Sequence, residues 1–199
     1  MNNTKVQKNM LQAVFVDRDG TIGGNGHFIH PNSFELFPFS QKAIKLLKEK
    51  GLKVFAFTNQ HRIARGEAKM EDFNVQFETF GFDGAYICPH DQKDECKCHK
   101  PKPGLLLKAA EEHSLDLHNC AVIGDVGSTD MLAAQTVGAI KILVRTGWGM
   151  ESLNAYRHTW YDKAKPDHVA DNFGDACNWL VNNIDIIYEL RTDAPWRIK

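Results

Sequence analysis

The chain has 199 residues, 24 Lys and Arg against 25 Asp and Glu, a formal net charge of -1, and 43% apolar and 25% charged residues, all values of a globular domain. So even a balance excludes a nucleic-acid partner held by broad phosphate neutralisation, and no apolar run reaches the roughly 18 residues that a membrane helix needs. The polar stretch from Met1 to Met10 has no signal-peptide core, so a reducing cytoplasmic location is expected, where an odd count of five cysteines points to a metal or to chemistry rather than to disulfides.

Residues 1–10 read as a polar tail, 11–190 as one domain and 191–199 as a C-terminal tail. The run Leu11 to Asp17 is apolar until its final acid, the pattern of a strand buried on both faces. Helical spacing follows over Ser40 to Lys50, then a second strand over Leu52 to Thr58. A helix around Lys69 to Phe80 leads to a short strand, Gly84 to Cys88. Pro103 to Ser114 predicts a helix with its proline in the first turn. Cys120 to Asp125 predicts a strand, Thr129 to Val137 a helix, and Ala139 to Val144 another strand. A very short strand at His168 to Ala170 and a helix from Phe173 to Leu190 complete the chain. Strands alternating with helices make a doubly wound α/β domain with a mainly parallel sheet. Ligands of such sheets bind beyond the carboxyl ends of the strands. Asp17, Thr58 and Asp125 all fall there.

Asp17 and Asp19 lie two residues apart, and carboxylates that close repel unless a proton or cation sits between them. A hard ion with oxygen ligands fits, and Mg²⁺ is the usual choice when a phosphate completes its shell. Asp125 adds a third carboxylate and Asp130 braces the site from behind. Gly20 permits a sharp turn and is expected to leave its N–H free for an oxyanion. Asp17-x-Asp19-Gly20-Thr21, then Thr58, a lysine, and Gly124-Asp125 with Asp130 five residues on resembles the four-motif signature of the haloacid-dehalogenase superfamily of phosphatases. The resemblance implies that Asp17 attacks phosphorus and becomes an aspartyl-phosphate, while Asp19 serves as acid and then as base. It also implies Mg²⁺ on Asp17, the Asp19 carbonyl and Asp125, with Thr58 and a lysine, Lys100 or Lys102, stabilising the transferred group. The intervals Thr21–Thr58 and Thr58–Lys100 leave no room for a large cap domain.

Cys88, His90, Cys96 and Cys98 crowd into one polar loop. Cys₃His is a standard closed set for structural zinc, and it would fold a loop that has no apolar core of its own. Cys120 and Cys177 read as core residues. The run Cys88-Pro89-His90, Cys96-x-Cys98-x-Lys100-Pro101-x-Pro103-Gly104 resembles the D,D-heptose 1,7-bisphosphate phosphatases, and almost equally the histidinol-phosphate phosphatase domain of histidine biosynthesis. That likeness selects Lys100 as the catalytic lysine and places substrate on Asn25, Phe28, Asn59, Gln60, His61 and His99. Two positions depart from the heptose enzymes: His99 stands where they usually carry Arg, and Val126 where they tend to carry Lys. The expected activity is Mg²⁺-dependent hydrolysis of a small phosphate ester. A heptose bisphosphate is the first choice, and histidinol phosphate or another small ester the alternative. A phosphorylated receiver domain shares several of these residue types, but its acidic pair is adjacent and its phosphorylated Asp ends a later strand. Gly23 to Gly26 has neither P-loop nor dinucleotide spacing and reads as a flexible flap.

Overall fold

The apolar runs form the centre of one parallel sheet in a computed structural model, which describes residues 11–192. Its strands are β1 (Ala13–Val16), β2 (Lys53–Asn59), β3 (Gly84–Cys88), β4 (Cys120–Gly124), β5 (Ile140–Val144) and β6 (His168–Ala170). Their order is β3-β2-β1-β4-β5-β6. Every residue of β1, β4 and β5 is buried, which explains why their sequences carry no polar alternation. The helices are α1 (Ser40–Glu49), α2 (Met70–Thr79), α3 (Gly104–His113), α4 (Leu132–Thr136), α5 (Gly149–Leu153) and α6 (Phe173–Thr192). Arg191 and Thr192 therefore extend the last helix, while the expected tail at 1–10, the rest of the tail after 192 and Trp196 lie outside the described residues.

The two faces of the sheet are covered separately. Val14, Val16, Val54 and Ala56 pack beneath Ile44 and Leu47 of α1, Phe73 and Phe77 of α2, and Phe173 and Leu180 of α6. Phe15, Phe55, Phe57 and Val122 point the other way, against Leu105 and Leu106 of α3 and Ala133 and Ala134 of α4. Cys177 lies in the first layer and Cys120 in the second, both fully buried. Chain order reverses between β1 and β4, and this opens a crevice at their carboxyl ends. No large cap domain interrupts the sheet connections. The segment after β1 only folds back on itself through bridges from Gly23 to Asp19 and Leu36.

Two of the boundary differences from the sequence expectation bear on the site. Strand β2 continues to Asn59, so Thr58 is a strand residue in register with Ile87, with no helix following for it to cap until Met70. The helix expected from Thr129 begins earlier, as a wide π-type turn over Gly127–Met131. The Asp130 carboxylate accepts the Val126 N–H at 3.1 Å, capping the turn from within. Trp160 is fully buried against Gly127, where a β-carbon would run into its ring, and its Nε1 donates to the Ser152 carbonyl at 3.0 Å. Trp160→Ala should therefore cost about 3–5 kcal/mol by cavity formation under the turn that carries Asp130. Urea denaturation of the two proteins measures it.

Candidate active site

Beyond β1 the Asp17 N–H still bonds the Ile123 carbonyl at 2.9 Å, so Asp17 and Asp125 leave neighbouring strand ends side by side. One carboxylate oxygen from each of Asp17, Asp125 and Asp130 lies within 4.8 Å of the others. The buried Lys100 ammonium enters this cluster, with Nζ 2.6 Å from Asp17 Oδ1, 2.7 Å from Asp130 Oδ1 and 2.8 Å from the Phe57 carbonyl. These three bonds occupy all its protons. Burial alone would lower the Lys100 pKa, but Asp130 and Asp17 outweigh it and hold the amine firmly charged. Asn59 fixes the lysine backbone, accepting the Lys100 N–H at 3.0 Å and donating to its carbonyl at 3.3 Å.

Three carboxylates against one ammonium leave two negative charges. Asp125 bears the consequence. It is fully buried and has no salt-bridge partner among the described residues, and its carboxylate accepts only the Trp148 backbone N–H at 2.7 Å and a long bond from Thr21 at 3.5 Å there. Burial first, then repulsion from Asp17 and Asp130, pushes its pKa well up. This donor set fits a hard divalent cation, whose charge matches the excess. Space beside Asp125 depends on Gly20 and Gly147, at φ 91° and 56°: a β-carbon on either would fall on Asp125 Oδ2. The Gly20 N–H is not free as expected, because it donates to the Gly23 carbonyl at 2.7 Å to close the turn. The flap is likewise held: Trp148 Nε1 donates to the Gly26 carbonyl at 3.1 Å.

Asp19 stands on the other side of Asp17. Arg18, fully buried between the Phe34 and Phe73 rings, reaches Asp19 Oδ1 at 2.5 Å and Gln76 at 2.8 Å. Gln60 donates to Asp19 Oδ2 at 2.6 Å and to Thr58 Oγ1 at 3.0 Å. Burial raises the Asp19 carboxyl to about 6 despite the Arg18 charge. Because Thr58 accepts from Gln60, its own hydroxyl proton is left for another acceptor.

Asp17, Asp19, Phe28, Thr58, Asn59, Gln60, His61, Lys100, Asp125 and Asp130 line one cavity of about 190 Å³, together with Gly26, Val126 and Thr129. Of the six expected substrate contacts, Phe28 and His61 line it without a side-chain hydrogen bond to another described residue. The Asn59 and Gln60 amides are engaged by Lys100, Asp19 and Thr58. Asn25 and His99 do not line the cavity. The Asn25 amide oxygen accepts the His27 N–H within its own loop, and His99 Nδ1 lies 3.7 Å from the Cys88 sulfur. Sequence reasoning missed Arg18 and Trp148. The only available signal for Arg18 was a charged residue between two site acids.

Beside Lys100, the Cys88, Cys96 and Cys98 sulfurs stand 3.4–3.6 Å apart, and His90 Nδ1 is 3.2 Å from Cys98 and 3.7 Å from Cys88. A tetrahedral ion with metal–sulfur bonds of about 2.3 Å needs ligand spacings of about 3.8 Å. The spacing exceeds any disulfide and comes close to that tetrahedron.

This sheet, with carboxylates at adjacent strand ends and no cap, defines a phosphatase of the haloacid-dehalogenase type. A family model described as HAD-hydrolase-like matches residues 97–176. The D-glycero-beta-D-manno-heptose-1,7-bisphosphate 7-phosphatase of Vibrio cholerae is 37% identical over 68% of this chain and 82% of its own length. The enzyme of the same name from Escherichia coli K12 is 35% identical over 95% of this chain and 94% of its own. A crystal structure of the D,D-heptose 1,7-bisphosphate phosphatase of B. bronchiseptica, complexed with magnesium and phosphate, superposes with a TM-score of 0.74 at 26% identity, covering 86% of this chain and 99% of that one. The chain belongs to the haloacid-dehalogenase superfamily of phosphatases. No helix among the described residues is long and apolar enough to cross a membrane.

The ion-pair geometry carries a stability consequence. Lys100→Met leaves Asp17 and Asp130 buried without their cation and should destabilise the fold by about 3–5 kcal/mol in the presence of chelator. Added Mg²⁺ should recover part of that loss, because it supplies charge to the same carboxylates. Thermal melts with and without the ion report both effects.

Proposed function

We propose that the chain hydrolyses a phosphate monoester through a phosphorylated Asp17, acting on a sugar phosphate such as D-glycero-D-manno-heptose 1,7-bisphosphate. The observation that carries this reading is the Lys100 ammonium clamped between Asp17 and Asp130 on the floor of a cavity that also holds Asp19. Asp17 Oδ1, hydrogen-bonded to Lys100, is held in place, while its other oxygen attacks phosphorus in line with the ester oxygen. Burial pushes the Asp19 carboxyl up to about 6, so it carries enough of the acid form to protonate the departing alkoxide. Each Asp19 oxygen keeps a lone pair beyond its bond to Arg18 or Gln60, so the carboxylate can then take a proton from the water that opens the acyl phosphate. Thr58 donates its free proton to a phosphoryl oxygen, and Lys100 supplies fixed positive charge where negative charge accumulates.

Asp17, the Asp19 carbonyl and Asp125 would hold Mg²⁺, which supplies the charge that lets an anionic nucleophile approach a dianionic ester. Cys88, His90, Cys96 and Cys98 would hold Zn²⁺ as a structural ion, shaping the loop that ends in Lys100. Thiols kept for a metal suit a cytoplasmic enzyme.

Asp17→Asn, assayed with Mg²⁺ and p-nitrophenyl phosphate, should lose about a thousandfold or more of its turnover, the scale on which enzymes lose a nucleophile. Turnover retained by this variant would refute the mechanism. Protein purified without chelator should contain about one zinc per chain, and Cys96→Ser should lose that zinc and most of its activity together. Elemental analysis finding less than about half an equivalent in the unmutated protein counts against the Cys₃His site.

A further inference from the structure

The cavity is smaller than the roughly 300–1,000 Å³ of most small-molecule sites. It has room for the phosphate that reacts, so the rest of a sugar must extend to the mouth. Charge inside the cavity is already committed. Among the described residues, Lys100 is the only Lys or Arg in the lining, and its three protons are bonded to protein oxygens. Burial, with Arg65 and Arg62 nearby, pushes His61 below its usual value, so it adds no charge at neutral pH. A second anionic group on the substrate therefore has no cation to meet within the lining.

Just outside the lining there is one. Arg62 follows His61 and sits over the Phe28 ring at 5.5 Å, and both of those residues line the cavity. Its Nη1 bonds Glu67 at 2.6 Å, while its Nε is buried without a partner, which is a costly state for a guanidinium donor. The loop is fixed around it: the Glu67 N–H bonds the Arg62 carbonyl at 3.0 Å, and the Ala64 N–H bonds the Pro89 carbonyl at 3.1 Å. Here is a positioned cation over a cavity wall, partly exposed, whose Nη2 makes no hydrogen bond among the described residues.

We propose that Arg62 recognises a second anionic group of the substrate, at the mouth of the cavity and away from the phosphate that is cleaved. This deepens the phosphatase reading above and rests on it. A guanidinium offers several donors in a plane and suits phosphate or carboxylate. It would repel the ammonium of a phosphorylated amino alcohol, so it favours a sugar bisphosphate over histidinol phosphate. Phe28 would keep the guanidinium flat and give an apolar wall to the sugar carbons between the two phosphates.

The test compares heptose 1,7-bisphosphate with heptose 7-phosphate, two substrates with the same scissile phosphate that differ only in the distal one. In Arg62→Gln, kcat/KM for the bisphosphate should fall by about 10–100-fold, mostly through KM, as expected for one charge-assisted contact. Turnover of the 7-phosphate and of p-nitrophenyl phosphate should stay within about twofold, which also shows that the variant is folded. Equal losses on both sugar phosphates, or an undiminished preference for the bisphosphate, would overturn the assignment while leaving the phosphatase reading intact. An unmutated enzyme that turns over none of the three esters sinks that reading, and the role of Arg62 with it.

Discussion

Like charges cannot be buried together without a cation, and this one constraint arranges the centre of the molecule. Asp17 follows β1, Asp125 and Asp130 follow β4, and the three meet where the sheet reverses order. Lys100 makes their meeting possible, and much of the surrounding structure serves to put that ammonium there. Asn59 fixes its backbone, the Phe57 carbonyl takes its third proton, and the cysteine cluster ends two residues before it. Even so, the lysine neutralises only part of the charge. The same arithmetic that demands Lys100 leaves a surplus suited to a divalent ion, so ion binding and carboxylate burial are two aspects of one electrostatic problem.

The sequence showed most of what this constraint requires. Apolar runs that end in an acid placed Asp17 and Asp125 at strand ends, because a fully buried strand can change to charge only where it leaves the sheet. The cysteine spacing brought four potential metal ligands together at the end of β3 and in the loop after it, since a span so short permits little else. Other features depend on contacts that sequence separation conceals. The bond between the Trp148 N–H and Asp125 joins positions that no local pattern connects. Arg18 looked like a residue between two acids, yet it is buried between Phe34 and Phe73 and steadies Asp19. Asn59 and Gln60 were legible as site residues, but their partners were not: their amides are directed at protein atoms, so they organise the site rather than offer free donors. His99 shows the limit of reasoning by position, for it follows Cys98 and faces the Cys88 sulfur instead of the cavity.

The site thus has two tiers with different physical demands. Its floor is a closed network in which nearly every polar atom has a partner: Lys100 with three oxygens, Gln60 with two, Arg18 with a carboxylate and an amide. Such a network is stiff, because moving one member strands another. Its mouth is built from Phe28, His61 and Arg62, whose side chains make few bonds to the rest of the protein. In the proposed function, chemistry common to phosphate esters belongs to the first tier, and discrimination among them to the second.

Gly20 and Gly147 show how unequal these tiers are in their freedom to change. They lie far apart in sequence, yet each contributes a bare hydrogen to the surface around Asp125. No larger side chain fits, whatever its polarity, so the tolerance of these loops is set by volume and handedness rather than by chemistry. A lineage carrying this fold could exchange residues at the mouth and acquire new esters, one substitution at a time. It could not take the same small steps through the glycines, because every single step there collides with the carboxylate on which the floor depends.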